Sequence, residues 1–218
     1  GLPAFIGFLH GDIIAGLLLG GLLRLVLSQH ATYLINSLAH MWGTRPYSDN
    51  SSARDNTLLA LITYGEGYRN YHHTFQWDYR NGIRWWHFDP TKWLIRSLER
   101  AGLASGLKRC APDKIERAKL ERQFQLATEK CERLAVEGDW QSRLETEYEA
   151  LLHAVQQWAE HRQAWYEAKG KELQEHLSHL EKQQLKAHYL EFKYKLKLQK
   201  QRWQIVIRTL ASPEPGVA

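Results

Sequence analysis

A long apolar segment near the N-terminus limits what this chain can fold into. Residues 2–27 are almost continuously apolar. Three polar or charged residues interrupt the run: His10, Asp12 and Arg24. We interpret residues 2–9 as the end of one membrane helix and about residues 12–41 as a second, with a polar turn between them. The alternative is a buried helix of a soluble protein, but Gly-rich and Leu-rich runs of this length are typical of membrane helices.

The second helix is longer than a membrane is thick. About 30 residues at about 1.5 Å each exceed a hydrocarbon core of about 30 Å. We therefore expect the polar end, from Gln29 to His40, to protrude. The only methionine is Met41, and the chain opens inside an apolar segment, so we expect this sequence to be the back part of a longer protein.

Composition divides the chain in two. The first part is apolar and aromatic, and the second is dominated by Glu, Lys, Arg, Gln and Leu, a helix-forming mixture. We predict a membrane-associated part over 1–106, a charged helical tail over 107–211 and a disordered end over 212–218. The two cysteines lack CxxC spacing, which fits a reducing compartment. The net charge of +5 fits an anionic partner, and a solvated tail helix explains it equally well.

The stretch Gly65–Phe75 carries the strongest chemical signal. Its Arg69, His72 and His73 stand at i, i+3 and i+4 and therefore share a helical face. Neutral imidazoles bind transition metals. An isolated His pair is more often a surface or core feature, but the membrane setting and His40 favour a metal site here.

A stripe on the long helix leads toward His40. Gln29, Tyr33, Asn36 and His40 recur at spacings of three or four, and Thr32 lies beside them. The stripe could line a channel that brings a long apolar substrate to a metal. Polar residues at the level of the lipid headgroups are the alternative, and both interpretations stay open on this segment alone.

The next stretch is rich in tryptophan and arginine, which is typical of a membrane interface. Asp89-Pro90 has the composition of a helix start. We predict a short amphipathic helix over about 90–103, lying at the interface.

The tail shows heptad spacing. Apolar residues alternate at steps of four and three through much of its middle: Leu144, Tyr148, Leu151, Val155, Trp158 and Trp165. The seam predicts that this helix pairs with the first tail helix or with another chain. Arg162 and Lys169 fall at positions where the seam would have apolar residues, so it is imperfect. A basic run between Lys193 and Arg202 could touch anionic lipid or nucleic acid, although a solvated helix end is the simpler interpretation.

Two motifs resemble one known family. The stretch His30-Ala-Thr-Tyr-Leu-Ile-Asn-Ser-Leu-Ala-His40 with Trp42-Gly-Thr-Arg-Pro-Tyr47 is similar to the last membrane helix of acyl-CoA (stearoyl-type, delta-9) fatty acid desaturases. Gly65-Glu-Gly-Tyr-Arg-Asn-Tyr-His-His-Thr-Phe75 resembles their third histidine box, G-E-G-[aromatic]-H-N-x-H-H. The stretch from Asp78 to Ile95 is similar to the bacterial branch. The resemblance covers about residues 2–103, and the tail has no part in it.

The resemblance implies an activity and a set of site residues. His40, His72 and His73 would be ligands of a di-iron centre, and Asn36 would hold one iron through water. Thr32 and Tyr33 would lie near the bend of the acyl channel, with Gln29 on the same stripe. The reaction would be O2-dependent desaturation of a long acyl chain carried as acyl-CoA or acyl-lipid. Electrons would come from a ferredoxin-type or cytochrome b5-type donor.

Two departures from the family pattern lead us to expect that this chain alone is inactive. The earlier boxes, H-x-x-x-x-H and H-x-x-H-H, are absent from it, so too few histidines remain to enclose two irons. Arg69 stands where the family has His, and arginine has no lone pair to donate. Arg69 is either a degenerate residue or one that turns to a phosphate or headgroup.

The sequence therefore predicts an all-α protein. Integral membrane helices would carry a cytosolic metal-site cap, followed by a long coiled-coil-like tail with its own helical partner. We expect a bacterial inner membrane, with the site and tail cytoplasmic, membrane lipid as a partner and no nucleic acid. The alternative is a non-catalytic desaturase remnant that anchors a helical interaction tail.

Overall fold

The computed structural model describes residues 1–134, 139–171 and 179–211. These residues are mostly helical and contain no β-strand, which confirms the predicted all-α class. The chain divides into two compact units, Gly1–Arg109 and Cys110–Ala218, whereas the sequence places the boundary after residue 106. The disordered end predicted for 212–218 lies outside the described residues.

The first unit contains five helices among its described residues. Their bounds are α1 Leu2–Leu9, α2 Ile13–Met41, α3 Thr57–Ile62, α4 Arg69–Thr74 and α5 Pro90–Arg100. The amphipathic helix α5 ends three residues before the predicted position, at a turn where Gly102 has a φ of +73°. Asp89 caps α5 by accepting a hydrogen bond from the Lys92 amide, as its sequence predicts.

Helices α1 and α2 form a close-packed hairpin. Asp12 caps α2 by accepting a hydrogen bond from the Ala15 amide, at 2.9 Å. Gly7 and Gly16 face each other so closely that a side-chain carbon on either would overlap the backbone of the other helix. The predicted polar turn between two apolar helices is therefore observed, and small residues permit the close approach.

Helix α2 is long and apolar enough to cross a membrane, by its length and composition. It has 29 residues, and the apolar window that qualifies it is not buried against the rest of the described chain. The helix is not uniform. Gly16–Leu23 is π-helical, and a turn at Ser37 separates Arg24–Asn36 from a last turn, Leu38–Met41. The Ser37 hydroxyl donates to the Tyr33 carbonyl at 2.7 Å, which competes with regular helix bonding.

The second unit is a bundle of three described helices: α6 Pro112–Leu134, α7 Trp140–Lys171 and α8 His179–Ala211. Helix α7 packs against both α6 and α8. Its heptad residues Leu144, Leu151 and Val155 are buried in the bundle core. The tail helix thus pairs within its own chain, and a supercoiled geometry stays a prediction.

Candidate metal centre

Helix α4 places two histidines side by side. Gly65, with φ of +101°, makes the turn before it, and Gly67 lies against the start of α3 with no space for a side chain. Helix α4 then holds His72 and His73 with ring centroids 6.0 Å apart and planes nearly perpendicular. The two rings therefore point in different directions from one short helix.

The third histidine comes from the last turn of α2. The ring centroid of His40 lies 5.9 Å from that of His73. The His40 Nδ1 atom is 2.8 Å from the Ser52 hydroxyl, which fixes the ring orientation and leaves Nε2 on the opposite side. A hydrogen bond of this kind to the other ring nitrogen is the usual way in which a metal-ligating imidazole is oriented.

Asn70 fastens α4 to the loop that follows α2. This buried amide accepts hydrogen bonds from the backbone amides of Tyr47, at 3.0 Å, and Ser48, at 3.4 Å. It donates to the carbonyls of Ser48, at 2.7 Å, and Ala53, at 3.0 Å. One side chain thereby satisfies four backbone groups, and it holds the helix that carries His72 and His73.

A buried acidic network holds the end of α4. Tyr71 donates through its hydroxyl to Asp78, at 2.7 Å. Arg80 grips the same carboxylate with Nε and Nη2, at 3.0 and 2.7 Å. This fork geometry is the strong form of a carboxylate–guanidinium pair, and the contact with Asp78 raises the pKa of Arg80 further.

The loop before α5 is closed by Asp89 and Lys92. Besides capping α5, Asp89 accepts hydrogen bonds from the amides of Asn81 and Gly82. The buried Lys92 ammonium donates to three carbonyls, those of Gly82, Arg84 and His87. Burial lowers the pKa of Lys92, and the three carbonyls compensate for the lost hydration.

Arg69 pairs with Glu66. Its Nη1 atom is 2.8 Å from Glu66 Oε2, and Glu66 Oε1 accepts a hydrogen bond from the Asn81 amide group, also at 2.8 Å. The sequence predicts either a degenerate residue or one that turns to a phosphate or headgroup, and it does not predict the pairing with Glu66. The bridge joins α4 to the 78–89 loop and keeps a permanent cation beside the histidines.

Two imidazole nitrogens suit a metal. His72 Nδ1 and His73 Nε2 are buried, and neither makes a hydrogen bond among the described residues. Buried polar atoms without a partner are uncommon and call for a ligand or another explanation. Burial, followed by the charges of Arg69, His72 and His40, lowers the pKa of His73. This favours the neutral imidazole, the form that binds metals.

The donor set is nevertheless incomplete. Within the described ranges, no three His, Cys, Asp or Glu side chains converge as a metal-binding group. The structure brings the histidines together as two neighbouring pairs, His40–His73 and His72–His73. Arg69 has no lone pair to donate, so it cannot complete a donor set.

Of the polar stripe, His40 lies in this cluster. Asn36, Thr32, Tyr33 and Gln29 are exposed on α2. Thr32 donates its hydroxyl to the Ser28 carbonyl, at 3.0 Å. Asn36 precedes the turn at Ser37 and forms no side-chain hydrogen bond among the described residues. That turn interrupts the single helical face on which the sequence places Asn36 and His40, so the water-bridged role of Asn36 and the channel roles stay predictions.

Comparison with known proteins gives the chain its relatives. It is 43% identical over 123 residues to acyl-CoA desaturase 1 of Saccharomyces cerevisiae, which covers 56% of this chain and 24% of that protein. It is 44% identical over 101 residues to stearoyl-CoA desaturase 5 of Bos taurus, covering 46% and 30%. It is 39% identical over 101 residues to acyl-CoA C20 Delta5-desaturase of Anemone leveillei, covering 46% and 32%. No family model matches.

Over about half of its length, this chain is homologous to acyl-CoA desaturases. It spans about a quarter to a third of the length of the desaturases named above. The homology supports the predicted resemblance at the level of the family, and the branch of the family stays a prediction.

Sequence reasoning found the histidines of this desaturase-like part and missed what holds them. It did not assign Ser52 to His40, Glu66 to Arg69, or Asn70 to the loop. For Asn70 a signal was present, because it is a fixed letter of the G-E-G-[aromatic]-H-N-x-H-H pattern. A polar residue that is neither a ligand nor exposed indicates a structural hydrogen bond.

Proposed function

We propose that this chain is part of an enzyme that introduces a double bond into a long fatty acyl chain. The homology to acyl-CoA desaturases over about half the chain is the observation that carries the proposal. The relatives' names include a Delta5-desaturase and stearoyl-CoA desaturases. These names do not fix one position for the double bond. We further propose that this enzyme acts at the delta-9 position and belongs to the bacterial branch.

The reaction removes one hydrogen from each of two adjacent methylenes. O2, two electrons and two protons convert the CH2–CH2 unit to CH=CH and give two molecules of water. The electrons come from a ferredoxin-type or cytochrome b5-type donor, and the acyl chain arrives as acyl-CoA or acyl-lipid. We place the enzyme in the membrane through α2, with a cytoplasmic site.

In this proposal an iron centre supplies the oxidising chemistry when it is bound. His40, His72 and His73 would hold it, because two of them carry buried nitrogens without hydrogen-bond partners. Ser52 would orient His40, and Asn70 and Asp78 would keep α4 in place. Asn36 would contribute through water, and Thr32, Tyr33 and Gln29 would face the acyl chain. Ligands from beyond this chain would complete the di-iron set.

The test is product analysis in cells. The complete reading frame that contains this chain is expressed in a host without desaturase activity and supplied with deuterated stearate. We expect an unsaturated product that has lost one deuterium from each of two adjacent carbons of the labelled substrate. This product should be absent in a His72→Ala/His73→Ala variant. Equal product from the wild type and the variant, or none from the wild type, contradicts the proposal.

One observation favours a second candidate function. Arg69 occupies a ligand position of the resembling pattern and is held there by Glu66. A remnant that anchors the tail at the membrane, without catalysis, would tolerate this residue. Absence of product together with membrane retention of the chain would support it.

A further inference from the structure

Helix α8 has an apolar face inside the bundle. Leu196, Trp203, Val206 and Leu210 are buried there, each with 5% or less of its surface exposed. Trp203 also donates its indole N–H to Gln123 of α6, at 2.9 Å. This face accounts for the packing of α8 in its own unit.

The same helix has a second apolar face pointing outward. Leu190, Tyr194, Leu198 and Ile205 are 49%, 60%, 43% and 61% exposed. Their steps of four, four and seven residues keep them on one stripe, and at about 100° per residue this stripe lies opposite the buried face. A helix in a soluble bundle needs only one apolar face, so the outer stripe needs another partner.

The charge of the chain is concentrated on this helix. Helix α8 carries eight Lys and Arg residues and two Glu residues, whereas the whole chain has a net charge of only +5. The remainder of the chain is therefore close to neutral. A strongly basic helix with an exposed apolar stripe is typical of a membrane-surface element.

Six of the eight basic residues of α8 fall into two groups. Three are neutralised by carboxylates within the unit, in the pairs Lys195–Glu191, Lys200–Glu116 and Arg202–Glu147. Three others, Lys186, Lys193 and Lys197, are exposed along one edge of the outer stripe, and they form no ion pair with a described carboxylate. The unpaired charge therefore borders the unpaired apolar surface.

We propose that the outer stripe of α8 docks on an anionic lipid surface. Leu190, Tyr194, Leu198 and Ile205 would enter the headgroup region, and the lysine stems would extend beside them with the ammonium groups at the lipid phosphates. A second copy of the chain is a poor occupant, because its own basic edge would repel this one. Helix α2, by its length and composition, would hold α8 near a membrane at a high effective concentration.

The test uses the full chain reconstituted in vesicles. A spin label is placed at Tyr194→Cys, in a Cys110→Ser/Cys131→Ser background, and its contact with dissolved O2 and with a water-soluble nickel chelate is measured. We expect O2 contact to rise and chelate contact to fall when phosphatidylserine is added to phosphatidylcholine. A label at Ser142→Cys, an exposed position on α7, should stay water-exposed in both lipids.

Charge variants provide the second arm. Each lysine replaced should weaken the lipid partition of the label by about fivefold, so Lys186→Glu/Lys193→Glu/Lys197→Glu should abolish it. The matched variant Lys114→Glu/Arg133→Glu/Lys169→Glu changes the net charge equally, away from the stripe, and should retain it. The proposal fails if the Tyr194→Cys label stays water-exposed with phosphatidylserine, or if both triple variants behave alike. It also fails if shielding depends on protein concentration rather than on lipid, which would indicate a protein partner. None of these outcomes depends on desaturation.

Discussion

Arg69 is the residue at which the candidate site departs from an imidazole-rich one. Its guanidinium is paired with Glu66 on one side, yet its charge still contributes to the lowered pKa of His73. A fixed cation next to a cation site opposes metal binding, and arginine cannot relieve this by losing its proton.

Replacing Arg69 should therefore strengthen metal binding. We expect Arg69→His to raise the iron affinity of the complete protein by about tenfold or more, by analogy with the effects of residues around metal ligands. The measurement is iron per chain after dialysis against graded chelator. The loss of the partly exposed Arg69–Glu66 pair should cost at most about 1 kcal/mol of stability.

Arg69→Lys is the matched control for this prediction. It keeps the positive charge and adds no neutral nitrogen at neutral pH, so iron binding should remain at the wild-type level. If His and Lys at position 69 gave the same iron content, Arg69 would have a role unrelated to the metal.

At the scale of elements, the join between α3 and α4 is set by one glycine. A side-chain carbon at Gly67 would overlap the backbone at Asn56 and Ala60, where α3 begins. Neither helix is longer than six residues, so neither is stable without this contact.

Gly67→Ala should accordingly destabilise the first unit by about 3 kcal/mol or more. The midpoint of urea unfolding in detergent, followed by tryptophan fluorescence, measures this change. Gly21→Ala is the control, because a side chain there meets open space in a helix and should alter stability by at most about 1 kcal/mol. Similar midpoints for both variants would show that the close approach of Gly67 to α3 does not contribute to the stability of the first unit.

The helices themselves could largely be predicted from the sequence. The apolar run of α2, the Asp89 cap of α5 and the heptads of α7 are local patterns, and each appears in the structure close to its predicted bounds. The interruption at Ser37 could not be predicted in this way, because serine also occurs in regular helices. Whether its hydroxyl bonds to the Tyr33 carbonyl depends on the side-chain rotamer, which the sequence pattern does not specify.

The candidate site was predictable in its chemistry and not in its support. Histidine spacing identified His72 and His73, the stripe on α2 led to His40, and the resemblance implied that all three are ligands. The partners of these residues come from separate loops, as with Ser52 and Asn70. Such contacts depend on how the chain returns on itself, and periodicity carries no information about that.

At the scale of the whole molecule, the two units are separately compact, and the candidate ligands His40, His72 and His73 all lie in the first. The last two residues of the first unit, Lys108 and Arg109, pack against its loop at Tyr79. The Lys108 backbone carbonyl accepts a hydrogen bond from the Tyr79 amide, at 3.2 Å, and the Arg109 guanidinium lies over the Tyr79 ring.

Removing the tail should leave metal binding intact. We expect a chain ending at Arg109 to bind as much iron as the full chain, measured on purified protein in detergent, because no candidate ligand follows residue 73. A chain ending at Gly106 loses the Tyr79 contacts and should be less stable while it still binds metal. Loss of iron from the chain ending at Arg109 would mean that the tail contributes to the site.

The four hydrogen bonds of Asn70 have a consequence for how this protein can change over evolution. Surface loops normally absorb insertions and deletions with little effect. The loop around Ser48 and Ala53 is different, because the Asn70 side chain forms hydrogen bonds with its backbone at several points. Asn70 is also only two residues from His72. A single inserted residue there would shift the helix that carries His72 and His73, so the length of this loop should be inherited as strictly as the histidines themselves.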